Sequence, residues 1–459
     1  MQWLDWAVVA LYIGALVLIT VKARRTRLLE DFTVGSRDIP RAIVFATLAA
    51  TYIGPAYTLG IAGNAAQHGY VWYLISVMVP LQTILMGKFV APKLRGFSNC
   101  HSVGHVMGEI YGPTARLFTG ALSFLFMSFV VGLIARGFGE VVHAFTDIPA
   151  DTVIIFGTLP VILYAAWGGV KTIILTDAIQ FTALAATVPL IIFFSGYAWD
   201  FSALAASLPA ERLSWRGEYS DIELAGLIIT FFFGEMLLPP YVVRALSARD
   251  AEHAGSGFVS AGLFGIPWMF VVVSVGVIGG VALPGLSGDT VFLKTMELYL
   301  PPGILGLALA GIFGIIMSSQ DSCLHSASVA FSIDIYQHFR PKASTQTLLN
   351  YSQWIVVVIG VVAIIFALRV PNLVEALTLV YTLWAPTIVP PLIVGLLWRA
   401  APQVCGVAGI LGGVIGTGVW EWGLGNPYGV PSLVFGMAMN LAAYGAAALW
   451  ARGRQGATR

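Results

Sequence analysis

The sequence predicts an all-α integral membrane protein with about thirteen transmembrane helices, ten of which form two related halves of five. Three observations lead to this fold class. Hydrophobic residues make up 58% of the 459-residue chain and charged residues only 10%, and the mean hydropathy is +0.84. A soluble domain could not bury this much apolar surface in its core. Apolar stretches of about membrane-spanning length recur along the chain, and glycine and proline interrupt two of them near their centres.

The apolar stretches set the number of helices. An α-helix needs about 20 mainly apolar residues to cross the hydrocarbon core of a bilayer. Thirteen stretches meet or approach this length: 5–22, 40–66, 70–92, 114–145, 151–167, 173–196, 222–243, 255–284, 303–334, 347–369, 371–397, 403–422 and 428–450. The longest polar loops, near 197–221 and 285–302, are too short to form a soluble domain.

The basic residues predict the orientation, because cytoplasmic loops of membrane proteins carry an excess of lysine and arginine. With the N-terminus outside, nineteen of the 24 basic residues fall on the cytoplasmic side, and Arg136 lies within a helix. The first apolar stretch begins at Asp5 without a preceding basic region, so we expect a membrane anchor rather than a cleaved signal peptide. The sequence thus predicts a multi-pass protein of a bacterial inner membrane with a cytoplasmic C-terminus.

Two apolar stretches contain a helix break. Gly54-Pro55 lies in the second stretch, and Glu235 precedes Pro239-Pro240 in the seventh. Proline removes a backbone donor and clashes with the preceding turn, so each helix is expected to break there. Non-helical backbone is tolerated at membrane depth where it is buried in protein or lines a cavity. The two breaks therefore predict a central site.

The positions of the breaks also divide the chain. They lie five helices apart, so each opens a half of five helices, and an odd number of helices inserts the second half upside down. Inverted repeats of this kind are typical of secondary transporters, which bind solute near the bilayer midplane. We expect five regions along the chain. They are an extra helix and a cytoplasmic loop over 1–39, a first repeat over 40–196, an extracellular loop over 197–221, a second repeat over 222–397 and two C-terminal helices over 398–459.

A polar cluster lies inside the ninth stretch, where Ser318, Ser319, Asp321 and Ser322 stand near the middle of a membrane-spanning segment. A carboxylate at a helix centre costs about 2.5–3.5 kcal/mol on insertion scales, so it normally faces a partner, a cation or water. Hydroxyl and carboxylate oxygens are hard ligands that suit an alkali cation. His325, one turn after Asp321, is interpreted as a packing residue, with a proton relay as the alternative. Three further residues are interpreted as capping or pairing residues at cytoplasmic helix ends: Arg244, Asp334 and Tyr336.

Four local motifs point to a known family. Glu30–Arg37 follows the first helix, and Ala166–Gln180 contains a Gly-Gly pair and a Thr-Asp pair. Pro240–Asp250 ends the seventh stretch, and Met317–Tyr336 lies in the ninth. Over roughly residues 5–400 the chain resembles the sodium:solute symporters. This resemblance implies a LeuT-type fold of two inverted five-helix repeats with discontinuous first and sixth core helices. It also implies Na⁺ as the coupling ion and import of a small organic solute by alternating access.

The resemblance further implies a sodium site between the first break and the serine cluster. It consists of three backbone carbonyls and two hydroxyls: Ala50, Ile53, Ile315, Ser318 and Ser319. Carbonyls freed by a break, together with two hydroxyls, supply about five oxygens to a small hard cation. Some relatives have a second sodium site, and the residues at those positions here would hold a second ion or line an exit path: Asp177, Asp321 and Ser322.

The solute site is expected around the two breaks. The candidate residues come from both broken helices and from helices beside them: Gly54, Pro55, Tyr57, Thr58, Phe232, Glu235, Trp384 and Arg136. Glu235 is interpreted as a solute or proton ligand, with pairing to a neighbouring helix as the alternative. Arg136 either captures a solute carboxylate or pairs with Glu140 one turn away. The mostly apolar cavity helices favour a small carboxylate or an amino acid over a sugar.

Two other functions remain open from the sequence. A proton-coupled carrier on the same fold would titrate Glu235, Asp177 or Asp321, and a solute-sensing receptor would need a signalling partner. The chain shows no phosphate-cradling loop and no nucleophile-base or metal-ligand constellation, so neither ATP-driven transport nor an enzyme is expected. The expected partners are the solute, sodium and the lipid bilayer, with no nucleic acid, and nothing in the sequence requires more than a monomer.

Overall fold

The structure is a computed structural model that describes residues 1–22, 26–146, 148–198, 206, 208–286, 288–369, 373–398 and 400–457. Its regular elements in these ranges are helices, joined by one isolated bridge between Ile39 and Ala248. Four basic residues used to predict the orientation lie outside the described residues: Arg24, Arg25, Arg399 and Arg459. So do residues 199–205 and 207 of the predicted extracellular loop. The all-α prediction is confirmed.

Nine helices among the described residues are long and apolar enough to cross a membrane: Val71–Phe89, Pro113–Phe145, Ala150–Gly196, Ala251–Ala282, Ile304–Phe339, Thr345–Ala367, Val380–Leu397, Gln403–Gly423 and Ser432–Arg454. A tenth span is a bent pair, Arg41–Tyr52 and Ala56–His68, whose axes differ by 63°. We call this pair the first broken helix. The membrane-protein prediction is confirmed, and the count of thirteen stays a prediction.

Other helices extend or connect these spans: Trp3–Lys22, Leu29–Val34, Ala91–Arg95, Val103–Tyr111, Ala210–Leu213, Asp221–Phe233, Pro239–Ser247 and Thr290–Tyr299. Two of them, Asp221–Phe233 and Pro239–Ser247, are the halves of the predicted seventh stretch, and we call them the second broken helix. A capping box begins the first half, because the Ser220 hydroxyl accepts from the Glu223 N–H while the Glu223 carboxylate accepts from the Ser220 N–H.

The helix Ala150–Ala198 contains the stretches predicted at 151–167 and 173–196. At about 1.5 Å per residue it would extend about 73 Å, more than twice the roughly 30 Å of a hydrocarbon core. A sharp change of direction at Gly169, with φ 63° and ψ −174°, divides it. A Cβ atom at Gly169 would lie 2.8 Å from the Cα of Phe32, so both the backbone conformation and the space require glycine. The two stretches therefore meet at this residue.

The first broken helix is interrupted where the sequence predicts. Its first half ends at Tyr52, Pro55 lacks the N–H that would continue the helix, and a π-helical turn over Ala56–Gly60 restarts it. At Gly54 a Cβ atom would come within 3.0 Å of the Ser319 hydroxyl oxygen. The break therefore lies directly against the ninth apolar stretch.

The second broken helix is interrupted over 234–238. Leu237 has a φ of 60°, which is unusual for a residue with a side chain, and Leu238 is extended before the helix restarts. This path takes the chain out of the helix and back within five residues. The prediction of two discontinuous helices is confirmed.

The helix Ile304–Val329, which we call the serine-rich helix, lies in the middle of the bundle, and nearly all of its side chains are buried. It packs on Pro113–Phe145 and Ala150–Ala198. A Cβ atom at Gly311 would lie 3.0 Å from the Cα of Leu184, so glycine permits the close approach of these helices. The polar cluster of this helix is thereby placed at the centre of the protein.

Candidate functional site

A cavity of about 60 Å³ lies between the two helix breaks and the serine-rich helix. Its polar lining consists of one carboxylate, four tyrosines and two hydroxyl residues: Glu235, Tyr52, Tyr57, Tyr241, Tyr381, Thr51 and Ser319. The other lining residues in the described chain are apolar residues, glycine, prolines and Cys323. Four residues that the sequence assigned to the solute site line this cavity: Gly54, Pro55, Tyr57 and Glu235.

Glu235 lies in the gap of the second broken helix, and its side chain is buried. The Tyr241 hydroxyl donates a hydrogen bond to its Oε2 at 2.8 Å. The Tyr381 hydroxyl lies beside the same carboxylate and donates to the Tyr57 hydroxyl at 3.0 Å. Glu235 and Tyr241 are six residues apart, which in an unbroken helix would place them on different faces, so the gap creates this contact.

No basic side chain neutralises Glu235 within the described part of the chain. Lysine, arginine and histidine are missing from the cavity lining there, and Arg244, the basic residue nearest in sequence, is paired with Asp177 instead. The alternative interpretation, pairing of Glu235 to a basic residue of a neighbouring helix, finds no support in these contacts.

Oxygen atoms from the first break and the serine-rich helix meet on one side of the cavity. The Ser319 hydroxyl donates to the carbonyl of Thr51 at 3.1 Å. The buried Ser318 hydroxyl lies beside the carboxylate of Asp177, yet neither this hydroxyl nor Oδ1 of Asp177 makes a hydrogen bond of ordinary geometry. Buried polar atoms nearly always have partners. A hydroxyl and a carboxylate oxygen whose hydrogen-bonding capacity is not filled in this way are ligands that suit a small hard cation such as sodium.

The three carbonyls of the expected sodium site belong to the two elements that meet at this contact. Ala50 and Ile53 lie at the end of the first half of the first broken helix, on either side of Thr51-Tyr52, and Ile315 lies one turn before the two serines. The carbonyl of Ile53 accepts a hydrogen bond from Thr58 at 3.2 Å, which leaves its second lone pair for a ligand. The bond from Ser319 to Thr51 brings together the two elements to which the five expected sodium positions belong.

Arg244 connects Asp177 to the serine-rich helix, and its side chain is 1% exposed. Its Nη2 lies 3.1 Å from Oδ2 of Asp177 and donates to the Ser322 hydroxyl at 2.5 Å. Its Nε donates to the Thr47 hydroxyl at 3.2 Å, and that hydroxyl donates in turn to Asp177. The interpretation of Arg244 as a capping residue at a cytoplasmic helix end is wrong, because the break turns this residue into the bundle interior.

Asp321 also has partners, as its position in the membrane requires. The Tyr164 hydroxyl donates to Oδ2 of Asp321 at 2.6 Å, and Ser322 donates to its Oδ1 at 3.3 Å. One turn further, Nε2 of His325 bonds to the carbonyl of Phe32 at 2.6 Å, in agreement with its interpretation as a packing residue. Asp177, Asp321 and Ser322, which the resemblance assigns to a second ion or an exit path, are therefore linked through a guanidinium group.

Two of the expected solute residues make contacts elsewhere. Nη2 of Arg136 lies 2.5 Å from a carboxylate oxygen of Glu140, the intrahelical pair that the sequence offered as an alternative. Thr58 donates to the carbonyl of Ile53 behind the first break. Neither Arg136 nor Thr58 lines the cavity.

Two aromatic candidates do not line the cavity. Phe232 does not line the cavity, and its neighbour Phe231 instead packs edge-on against the Tyr57 ring with centroids 6.0 Å apart. Adjacent helical residues point about 100° apart, so only one of the two can face Tyr57. Trp384 is fully buried, and its indole N–H donates to the carbonyl of Met236 at 3.0 Å. It therefore supports the gap of the second broken helix from outside the cavity.

The sequence analysis did not assign three cavity tyrosines to the site. Tyr52 directly precedes the first break and Tyr241 directly follows Pro240, so a search for aromatic residues flanking each break would have found both. Tyr381 lies one turn before Trp384, on about the same face of the helix Leu373–Leu397. The sequence alone did not show which of these two side chains reaches the cavity.

Two broken helices around a central cavity that holds a buried carboxylate define a membrane transporter of the LeuT type. A model of the sodium:solute symporter family matches residues 32–413. The chain is 27% identical over 432 residues to the sodium/pantothenate symporter of Escherichia coli, covering 88% of both chains. It is 24% identical over 428 residues to the high-affinity proline transporter PutP of Bacillus subtilis, covering 86% of this chain and 88% of that protein.

A solved structure shows the same fold. A Na⁺-coupled sialic acid symporter in its substrate-bound outward-open state aligns with a TM-score of 0.84 and 20% identity, covering 98% of each chain. Because the family match spans most of the chain, the protein belongs to the sodium:solute symporter family. The predictions of a sodium-coupled multi-pass membrane transporter, with sodium and a solute as partners and no enzymatic function, are confirmed.

Proposed function

We propose that this protein imports a small organic solute together with sodium across a bacterial inner membrane, as a monomer with its N-terminus outside and its C-terminus in the cytoplasm. The distribution of lysine and arginine supports the orientation. Each sodium ion that enters along a membrane potential of 100 mV contributes about 2.3 kcal/mol before its concentration term. The repeats at 40–196 and 222–397 would move relative to each other around a fixed central site.

Sodium binds in this proposal where the first break meets the serine-rich helix. Its ligands are the carbonyls and hydroxyls of Ala50, Ile53, Ile315, Ser318 and Ser319. The observation that supports it is the buried Ser318 hydroxyl, which lies beside the carboxylate of Asp177 without a hydrogen bond of ordinary geometry. An ion at this junction would give this hydroxyl oxygen a partner. It would also hold the two halves of the first broken helix against the serine-rich helix.

We further propose one sodium ion for each solute. The guanidinium of Arg244 contacts Asp177 and Ser322, where a second ion would otherwise bind. Asp177 would then guide the single ion on its way out, and Asp321, bonded to Tyr164, would stay structural. The solute binds next to the ion, in the cavity that Gly54, Pro55, Tyr57 and Glu235 line.

Binding of radioactive sodium to the purified protein tests this site. The double variant Ser318→Ala/Ser319→Ala is expected to lose saturable sodium binding, because it removes both hydroxyl ligands. A matched control is Ser328→Ala on the same helix, whose hydroxyl donates to the carbonyl of His325 outside the site. The control is expected to bind sodium as the wild-type protein does.

The same measurement separates this proposal from proton coupling. Folded wild-type protein that binds no sodium, but takes up solute under an acid gradient, would overturn the sodium site and favour Glu235 as a proton carrier. Saturable binding that persists in the double variant would place the ion elsewhere.

A further inference from the structure

We propose that the transported solute carries a positively charged nitrogen, a protonated or quaternary amine, which binds against Glu235 inside a cage of tyrosine rings. The inference rests on the proposed function and specifies the chemical class of its solute. Three observations support it: the missing countercharge of Glu235, the tyrosines around it, and the side-chain types that the cavity lacks.

The first observation is the charge of the cavity. Glu235 is 6% exposed, and its one ordinary hydrogen bond comes from the Tyr241 hydroxyl at 2.8 Å. A buried carboxylate is costly unless it is paired, protonated or bound to a cation. The described residues give it no basic partner, and the oxygens proposed to bind sodium belong to the first broken helix and the serine-rich helix. The solute is therefore the natural source of the missing positive charge.

The second observation is the set of four tyrosines that line the same cavity. Their hydroxyls already have partners: Tyr52 donates to the carbonyl of Ala261 at 2.8 Å, and Tyr381 donates to Tyr57 at 3.0 Å. What they offer a solute is chiefly the aromatic ring. A cation over the face of a tyrosine ring is attracted by the negative face of the ring, and more strongly when water is excluded. A carboxylate surrounded by such rings is suited to an ammonium group with apolar substituents.

The third observation is what the cavity does not contain. Its described lining includes no arginine, lysine or histidine to pair with a carboxylate, and no asparagine or glutamine to bind the hydroxyls of a sugar. A simple carboxylate would meet Glu235 with the same charge, so the preference for carboxylates drawn from the sequence receives no support. An amino acid remains compatible through its amine.

Ligand binding to the purified protein in lipid nanodiscs with saturating sodium tests the proposal. The probes are choline and glycine betaine, compared with their carbon isosteres 3,3-dimethylbutan-1-ol and 3,3-dimethylbutanoate, and methylamine, compared with methanol, together with acetate and propionate as anions. Isothermal titration and the shift of the thermal unfolding temperature report binding. We expect one or more of the amines to bind, and the isosteres and anions to bind at least about tenfold more weakly.

The variant Glu235→Gln keeps the size of the side chain and removes its charge. It is expected to weaken amine binding by about 10- to 100-fold, the range of a charged hydrogen bond, with sodium binding retained. Glu211→Gln, the same substitution at an exposed position outside the cavity, is the matched control and should bind like the wild-type protein. Retained sodium binding shows that the Glu235 variant is folded.

Two results would overturn the inference while leaving the proposed function intact: sodium binds but none of the amines does, or an amine binds Glu235→Gln as tightly as the wild-type protein. A wild-type protein that binds no sodium would instead overturn the proposed function on which the inference rests.

Discussion

Two buried carboxylates of this transporter have opposite surroundings. Asp177 is fully buried and lies 3.1 Å from the guanidinium of Arg244, which reaches it from the other repeat. Glu235 is also buried, but its partner is the neutral hydroxyl of Tyr241. One negative charge is thus neutralised by the protein itself, and the other is left facing a cavity.

The difference shows how the protein separates structure from binding. A salt bridge buried between helices fixes their relative position, although its net contribution to stability is modest once desolvation is counted. A buried charge without a partner destabilises the solute-free protein and is useful only when a ligand neutralises it. Asp177 and Arg244 therefore belong to the framework, and Glu235 is the carboxylate available to the proposed solute.

Breaking the framework pair should have the largest effect. Arg244→Met leaves Asp177 buried and unpaired, which is expected to lower the free energy of unfolding by about 3–5 kcal/mol. Thermal unfolding of the sodium-free protein in detergent measures the effect. The double variant Asp177→Asn/Arg244→Met, which removes both charges, should recover most of the loss. Equal unfolding temperatures for wild type and Arg244→Met would show that the pair does not stabilise the folded state.

Removing the unpaired charge should have the opposite effect on stability. Glu235→Gln relieves an uncompensated buried carboxylate, so the solute-free variant is expected to unfold at the same or a higher temperature than the wild-type protein. Solute affinity should nevertheless fall about 10- to 100-fold. Thermal unfolding with and without an amine solute measures both quantities. A variant that is less stable without solute would place Glu235 in the framework together with Asp177.

The contrast between the two carboxylates could be predicted only in part. The break at Gly54-Pro55 was evident from the sequence, because the effect of proline on a helix is local. The partner of Asp177 was not evident, since Arg244 lies 67 residues away in the sequence. Arg244 lies on the second half of the second broken helix, so its position depends on the break. Short-range pattern reasoning left Arg244 at a helix end for this reason.

The contact between Glu235 and Tyr241 could not be predicted, because it depends on the backbone conformation of residues 234–238. Pro239-Pro240 predicted that the helix would stop, but not how the chain turns through 234–238, where Leu237 adopts a positive φ. That turn brings Tyr241 to Glu235 across a six-residue separation. The serine cluster was easier to interpret, because the residues on one helix keep their spacing whatever the tertiary structure.

Substitutions of the two serines of the proposed sodium site should affect stability differently and sodium affinity equally. Ser318→Ala removes a hydroxyl that makes no hydrogen bond of ordinary geometry, so the expected loss of stability is small. Ser319→Ala removes the bond to the Thr51 carbonyl and is expected to cost about 1 kcal/mol. Each should weaken sodium binding about tenfold, equivalent to about 1.4 kcal/mol. Radioactive sodium binding and thermal unfolding measure the two effects, and an unchanged sodium affinity in Ser318→Ala would remove this residue from the site.

The smallest effect is expected at the pair that lies outside both sites. Arg136 and Glu140 have side chains 24% and 26% exposed and form an intrahelical salt bridge, a kind that contributes about 0.3–0.5 kcal/mol. Arg136→Gln should therefore change stability slightly and solute affinity by less than about twofold. Titration of the solutes used for Glu235→Gln measures the affinity. A tenfold loss of affinity would return Arg136 to the solute site. It would also indicate a solute with a carboxylate, because a guanidinium pairs strongly with a carboxylate.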